Sequence, residues 1–213
     1  MKEDSLAYKV YAELRRKILS NQLLSGMRLK EDFWAKKMGV NRMAVREALT
    51  RLMGEKLVVF GPKGGHFVKT LTVEEVKEIR EIREILELGA LRLVFKKKTK
   101  EDIAILGEIC EDFTNMVQRG YFDGACEADV RFHETLINFS RNQKLMELYQ
   151  VSNIPLFHQK LGKSQVHMRD YELTDQEHRK IQESLKKGDL AQAEETLIKH
   201  LVRGEMTTLD LSE

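Results

Sequence analysis

Helical periodicity over the last two thirds of the chain is the feature that most constrains its fold. From Thr72 to about residue 206, apolar side chains recur at spacings of three and four, and short polar links separate the runs. The chain has 213 residues and only two prolines, so long helices meet few breaks. Short links make neighbouring helices antiparallel. The pattern therefore predicts a mainly α protein in which residues 72–213 form an all-α antiparallel helix bundle.

Capping residues indicate the limits of these helices. Thr72 is a good N-cap for the first helix, and Gly188 followed by Asp189 separates the last two. On the first helix we expect one broad apolar face, formed by Ile79, Ile82, Leu86, Gly89 and Leu93. The later helices are expected at about 100–119, 122–139, 142–151, 174–187 and 189–206, with a less regular stretch at 152–172.

Residues 1–71 follow a different pattern, in which short helices are followed by two strands. A short helix closed by Gly39 precedes a second helix that has Asn41 as its N-cap. Strands at about 57–60 and 66–70 are joined by Gly-Pro-Lys-Gly-Gly, a composition typical of a hairpin. This order of elements predicts a winged helix-turn-helix domain.

Charge divides the chain at the same place. Residues 1–71 contain 15 Lys and Arg against 7 Asp and Glu, whereas residues 72–213 contain 21 against 27. The net charge of +2 is therefore the sum of a basic N-terminal part and an acidic remainder, and basic domains are typical of proteins that bind a polyanion.

Arg42 and Arg46 lie at the start of the second helix, where arginine can pair with guanine or clamp a phosphate. The alternative is a structural module with solvated arginines. The charge, the Gly turn and the basic wing together favour DNA binding over it.

The segments LRRKILSNQLLSG, GVNRMAVREALTRL and GPKGGHFV resemble the winged-helix domain of GntR-family bacterial transcription regulators. The chain departs from the family's usual residues at Ser25, Asn41, Ala44 and Lys56, where Pro, Ser or Thr, Pro and Gly are usual. The resemblance implies a homodimer on a palindromic double-stranded DNA operator, acting as a repressor like most members. It also implies a set of DNA-contact residues: Asn41, Arg42, Arg46, Lys63, Gly64 and Gly65.

Three histidines and one aspartate of the bundle share an inward orientation. Asp129 and His133 lie four residues apart on one helix, and so on the same face. His178 and His200 each lie on the apolar stripe of their own helix. A lone histidine of this kind is usually a hydrogen-bonded core residue, and a lone Asp–His pair is usually a surface couple. Four buried polar groups without partners would cost on the order of several kcal/mol, whereas one divalent cation would satisfy all of them.

An N₃O donor set without sulfur favours zinc, with nickel, cobalt, iron or manganese as alternatives. The same part of the chain resembles the FCD ligand-sensing domain of the FadR-type branch of GntR regulators. The matching landmarks are ADVRFHETL, SRNQKL, the EH of DQEHRKI, KKGDLAQAE and the final KHL. The resemblance implies that Arg83 pairs with a small carboxylate effector, although a salt bridge to a nearby Glu is the alternative. It also implies that the metal ligands are Asp129, His133, His178 and His200.

The sequence therefore predicts a cytoplasmic DNA-binding regulator with a metal- and effector-sensing domain. Two cysteines, Cys110 and Cys126, exclude a disulfide framework and a thiolate zinc site, and they fit a reducing compartment. The charged N-terminus lacks the apolar core of a signal peptide, and no apolar run is long enough to span a membrane. One alternative is a regulator with a purely structural metal and no effector. Another is a metal-dependent hydrolase, although no general base stands out beside the ligands.

Overall fold

The computed structural model describes residues 5–20, 22–152 and 168–208. Over these ranges the chain forms nine helices and three short strands. In chain order they are α1 (Leu6–Leu19), β1 (Arg28–Leu29), α2 (Glu31–Met38), α3 (Arg42–Gly54), β2 (Val58–Phe60), β3 (His66–Val68), α4 (Val73–Lys97), α5 (Lys100–Gln118), α6 (Phe122–Phe139), α7 (Gln143–Val151), α8 (Met168–Lys187) and α9 (Leu190–Thr208).

The N-terminal part is a winged helix-turn-helix, as the sequence predicts. The three strands form an antiparallel sheet in the order β1-β3-β2, with Leu29 and Phe60 both opposite His66. Gly39 ends α2 in a left-handed conformation with φ 64°, which costs glycine little. The Asn41 side chain accepts a hydrogen bond from the Ala44 N–H at 2.8 Å and caps α3. The turn and the cap together fix the direction of α3 relative to α2.

Lys56 follows α3 and has φ 55°, in the left-handed region that glycine adopts at lower cost. This is the position at which GntR-type sequences usually carry glycine. The chain keeps the turn and accepts a small backbone strain at a lysine.

The C-terminal part is an antiparallel helix bundle. Within it α4 packs against α6 and α9, α5 packs against α6 and α8, and α8 packs against α9. The predicted caps are confirmed: Thr72 forms a capping box with Glu75, and Asp189 accepts the Gln192 N–H at 3.0 Å just after Gly188. None of the helices in the described ranges is long and apolar enough to cross a membrane.

Two helices of the bundle differ from the prediction. Residues 168–172 are helical within α8, although the sequence pattern placed them in a less regular stretch; residues 153–167 lie outside the described ranges. On α4 the expected apolar face is correct at Ile79, which is buried, and wrong at Ile82, which is 36% exposed. The face that α4 buries consists of Val76, Ile79, Arg83, Glu87, Ala90, Leu91 and Val94. The buried ion pair of Arg83 and Glu87 occupies part of this stripe, and a pattern of apolar residues does not reveal it.

The two parts of the chain meet along α1 and α6. Buried residues of α4, α6 and α7 belong to the same apolar cluster as the core of the winged helix. Arg15 on α1 lies 3.3 Å from Glu134, and Arg16 lies 2.5 Å from Glu127. One helix, α6, thus supplies a partner for each of these two arginines, which also pair with Glu55 and Glu13 of the N-terminal part.

Candidate metal centre and nucleic-acid interface

Four side chains from three helices converge inside the bundle. Asp129 and His133 come from α6, His178 from α8 and His200 from α9, and all four are buried. One donor atom from each lies within 4.8 Å of the others. Asp129 Oδ1 is 3.1 Å from Nε2 of His178, 3.8 Å from Nε2 of His133 and 4.0 Å from Nε2 of His200. The structure brings together the four residues that the sequence predicts as ligands.

Two of the three imidazole rings contact a carboxylate through Nδ1, on the side of the ring away from the other ligands. Glu87 Oε2 lies 2.6 Å from Nδ1 of His133, and Glu177 Oε2 lies 2.9 Å from Nδ1 of His200. An ionised carboxylate only accepts hydrogen bonds, so each Nδ1 carries a proton and donates it. In the neutral ring, Nε2 then presents a lone pair, and both lone pairs point towards the centre.

The surroundings of these groups favour ionised carboxylates and neutral imidazoles. Burial raises the pKa of Glu87, but the Arg83 charge and the His133 contact outweigh it and hold the pKa well below its ordinary value. Burial also raises the pKa of Glu177, yet the hydrogen bonds that it accepts bring this pKa down to about 2. Burial is the largest effect on the imidazoles, and it lowers the pKa of His133 to about 4 and that of His200 to about 3. Neutral imidazole is the form in which histidine binds a metal.

Hydrogen bonds alone do not satisfy this cluster. Nε2 of His133 lies 3.0 Å from Nε2 of His200, so two lone pairs face each other. Among the described residues, neither ring nitrogen of His178 makes a hydrogen bond: Asp129 is near Nε2 but the pair lacks hydrogen-bond geometry, and the ring stacks on Phe132 with centroids 4.1 Å apart. A divalent cation would accept all three lone pairs and balance the charge of Asp129. The residues therefore fit a metal.

Arg83 lies in the same buried region, where it pairs with a carboxylate of the protein. Its Nε lies 2.5 Å from Glu87 Oε1, and the Tyr149 hydroxyl donates to the same oxygen at 3.1 Å. The salt bridge that the sequence left as the alternative is thus present. Contact between Arg83 and an effector stays a prediction.

Asn41, Arg42 and Arg46 stand at the N-terminal end of α3, the helix that follows the tight turn. The side chains of Arg42 and Arg46 are 59% and 56% exposed, so both can reach a ligand outside the protein. In a helix-turn-helix this end of the second helix enters the major groove.

The tip of the wing depends on glycine. Gly64 and Gly65 have φ angles of 82° and 95°, beside the exposed side chain of Lys63. A Cβ atom on Gly65 would lie 3.1 Å from Arg28 Nε, so a larger residue would be both strained and crowded. The tip presents a lysine and open backbone, which suits contact with phosphate.

Glu31, at the start of α2, pairs with both arginines of α3. Arg46 donates from Nε at 3.2 Å and from Nη2 at 2.9 Å, and Arg42 Nη2 lies 3.5 Å away. Asp32 adds an ion pair to Arg42 Nε at 3.1 Å. The hydrogen bond from Arg46 is the largest effect on the pKa of Glu31 and holds it below the ordinary value. Arg42 and Arg46 are therefore held in place and partly neutralised by acidic residues of α2.

Sequence patterns assign no contact to any of three carboxylates of these sites by number: Glu31, Glu87 and Glu177. Each contacts a side chain of another element, and such a contact leaves no spacing signal within one helix. One signal was available, because Glu87 follows Arg83 by four residues and so shares its face.

The sequence matches two known families. The family described as "FCD domain" matches residues 78–203, and the family described as "Bacterial regulatory proteins, gntR family" matches residues 6–68. The uncharacterized HTH-type transcriptional regulator YdhC of Bacillus subtilis (strain 168) is 30% identical over 192 residues. This match covers 89% of the present chain and 85% of YdhC.

Solved structures share the fold. E. coli McbR/YncC superposes with a TM-score of 0.82 at 22% identity, over 93% of the present chain and 94% of its own. The metal-free FCD domain of TM0439 superposes with a TM-score of 0.55 at 23% identity, over 67% of the present chain and 96% of its own. At these identities the likeness shows the fold alone.

Proposed function

The chain belongs to the gntR family of bacterial regulatory proteins and carries an FCD domain, and from this premise we propose that its helical domain holds one divalent metal and senses a small carboxylate through it. The protein is a DNA-binding transcription regulator and not an enzyme. As further parts of the proposal, it acts as a homodimeric repressor on a palindromic operator, since the two-fold symmetry of a dimer is mirrored in its DNA site.

One contact carries the metal proposal. Nε2 of His133 and Nε2 of His200 face each other at 3.0 Å, while each ring donates its Nδ1 proton to a glutamate. Asp129 and His178 complete a set of four donors around the same point. When bound, the cation supplies positive charge and any coordination positions that these four residues leave open.

Charge supports an acid as the effector. The side chains at the ligands and their direct partners include two cations, Arg83 and Arg203, and three anions, Glu87, Asp129 and Glu177. Their net charge of −1 becomes +1 when a divalent cation is added. A buried positive charge is stabilised by an anionic ligand, and a monocarboxylate balances it.

A second candidate function, a metal with a purely structural role, is favoured by one observation. Glu87 already pairs with Arg83 at 2.5 Å, so the group expected to bind an effector has a carboxylate partner inside the protein. A regulator of this kind would need its metal to fold, but no metabolite would alter its affinity for DNA.

Metal analysis followed by a metabolite panel separates these functions. Elemental analysis of the purified protein should find about one divalent transition metal per chain, and chelation should remove it. Thermal shift of the metal-loaded protein with a broad set of organic acids should then find a stabilising monocarboxylate. A bound metal without any stabilising acid would favour the structural role, and a metal-free protein that takes up no added metal would refute the proposal.

Selection from a randomised double-stranded DNA library tests the operator. We expect the enriched sequences to share two inverted half-sites, each bound by one winged helix. Enrichment of a single asymmetric site, together with a monomer in solution, would contradict the proposed dimer.

A further inference from the structure

We propose that Glu87 and Glu177 are positioning residues of the metal centre, each of which holds one histidine so that it coordinates through Nε2. Glu87 acts on His133, and Glu177 acts on His200. The inference rests on the proposed function, because it supposes a metal at the four ligands.

Glu87 is fully buried and both of its oxygens are in use. Oε2 accepts the Nδ1 proton of His133 at 2.6 Å, while Oε1 accepts hydrogen bonds from Arg83 at 2.5 Å and from Tyr149 at 3.1 Å. These contacts join α4, α6 and α7 at one carboxylate. Its position, and with it the rotation of the His133 ring, is therefore fixed from three sides.

Glu177 is anchored in a similar way at the other end of the cluster. Arg203 on α9 holds it through Nε at 3.1 Å and Nη2 at 2.6 Å, and Thr174 accepts a further hydrogen bond from Arg203 at 2.7 Å. Glu177 in turn lies 2.9 Å from Nδ1 of His200. It directly precedes His178, so this turn of α8 contributes both a ligand and a support for another ligand.

The carboxylates decide which ring nitrogen faces the metal. A neutral imidazole carries its proton on one nitrogen, and a strong acceptor at Nδ1 keeps the proton there. Nε2 is then unprotonated and directed inwards before any ion arrives. The anionic partner also makes the ring a stronger donor, and loss of such partners commonly weakens metal binding by roughly 10- to 100-fold.

His178 reaches the same orientation by another route. Among the described residues, no carboxylate accepts a hydrogen bond from its ring; Phe132 stacks on one face, and Phe113 meets the ring nearly edge-on with centroids 5.6 Å apart. Positioning by a carboxylate is thus confined to His133 and His200. Substitution of either glutamate should leave His178 in place.

Zinc affinity tests the inference directly. Glu87→Gln and Glu177→Gln should each weaken the Kd for Zn²⁺ by roughly 10- to 100-fold in competition with a chromogenic chelator. An amide has one acceptor oxygen, so Gln at position 87 cannot serve both Arg83 and His133. Matched controls are Glu84→Gln, which removes a half-buried partner of Arg80 on the same helix, and Glu183→Gln, which removes an exposed partner of Lys187. Both controls should bind Zn²⁺ within about twofold of wild type, because neither glutamate contacts a histidine of the site and such ion pairs contribute little energy.

The ring atoms can be observed in the wild-type protein. In a sample with ¹⁵N-labelled histidine and bound Zn²⁺, long-range ¹H–¹⁵N spectra should show Nδ1 protonated and Nε2 coordinated for His133 and His200. Coordination through Nδ1, or wild-type zinc affinity in both folded variants, would overturn the inference while leaving the metal site standing. If Glu87→Gln does not fold, Glu177→Gln and these spectra decide. A wild-type protein that binds neither zinc nor nickel, cobalt, iron or manganese would instead refute the proposed function, and the positioning role with it.

Discussion

Arg46 does not extend freely into solvent, because Glu31 holds its guanidinium through hydrogen bonds of 3.2 and 2.9 Å. In the bundle, Glu87 holds Arg83 at 2.5 Å in a comparable way. A guanidinium fixed by one carboxylate loses less side-chain entropy when a second planar partner arrives. In both places a single acidic residue therefore sets the direction of an arginine that the proposed function assigns to ligand binding.

Arg46→Ala should weaken operator binding by roughly tenfold or more while leaving the fold intact, because the side chain lies on the surface and its loss removes a contact to base or phosphate. The measurement is a gel shift with the sequence obtained from the DNA selection. The control is Arg92→Ala, which removes an exposed arginine of the helical domain that pairs with Glu194. An unchanged gel shift for Arg46→Ala would contradict the placement of α3 in the major groove.

His178→Ala should remove the bound metal, because it deletes one of four donors and opens a space beside Phe132. Free Zn²⁺ at 1,000 times the Kd should stabilise the folded wild type by about 4 kcal/mol and so raise its unfolding temperature. The unfolding temperature of the variant should not depend on Zn²⁺. His66→Ala is the matched control, since it alters a buried histidine of the winged helix. It should lose stability but keep its metal in elemental analysis. Full metal content in His178→Ala would rule out the four-ligand site.

Helix α5 begins with a capping box whose acidic residue also forms an ion pair. Thr99 accepts the Asp102 N–H at 3.1 Å, and Asp102 in turn accepts the Thr99 N–H at 2.8 Å and pairs with Arg141 at 2.8 Å. Burial raises the pKa of Asp102, but these partners outweigh it and hold the pKa below its ordinary value. The turn between α4 and α5, which leads into the bundle, is stabilised at this residue.

Asp102→Asn should lower the free energy of unfolding by about 1 kcal/mol at neutral pH. Because the pKa is lower in the folded state than in the unfolded state, the contribution of Asp102 is complete above its unfolded pKa of 3.8 and is lost as the pH falls through the folded value. Urea unfolding across a pH series should therefore show the wild type and the variant converging under acid conditions. Asp112→Asn, on the exposed part of α5, should show little difference at any pH. A gap between wild type and Asp102→Asn that persists in acid would argue against this role.

The ligand helices show what could be predicted from the sequence. Asp129 and His133 could be recognised because helical spacing fixes their face within one element, and the winged helix could be recognised from its turns and caps. The inward face of α4 could not be recognised from the sequence, because Arg83 and Glu87 are charged. Their burial depends on partners from other helices. Glu87 is 46 residues away from His133, so their contact depends on how two helices pack.

In the whole molecule, α6 has two faces with different partners. One face carries Asp129 and His133, and the other carries Glu127 and Glu134, which pair with arginines of α1 in the winged helix. A small rotation of α6 on metal binding would therefore displace its contacts with α1. Helix α6 therefore contacts both the proposed metal ligands and the winged helix directly.

The double variant Arg15→Gln/Arg16→Gln should keep wild-type zinc affinity but lose most of the effect of zinc on operator affinity. Coupling of this kind is typically about 1–3 kcal/mol, or roughly 5- to 150-fold in Kd. The measurement compares operator Kd with zinc and with a chelator, and Arg92→Gln serves as the control. Full zinc dependence in the double variant would show that α1 is not the route.

If α6 couples the metal centre to the winged helix, the coupling must act in both directions. If zinc changes operator affinity by some factor, then operator binding must change zinc affinity by the same factor, because the two binding free energies form a closed cycle. Operator-bound regulator would then bind or release zinc at a different free-zinc concentration from regulator that is free in solution. Chromosomal binding sites would thereby take part in setting the metal occupancy of the regulator, and the effect could be measured by adding operator DNA to a zinc–chelator competition.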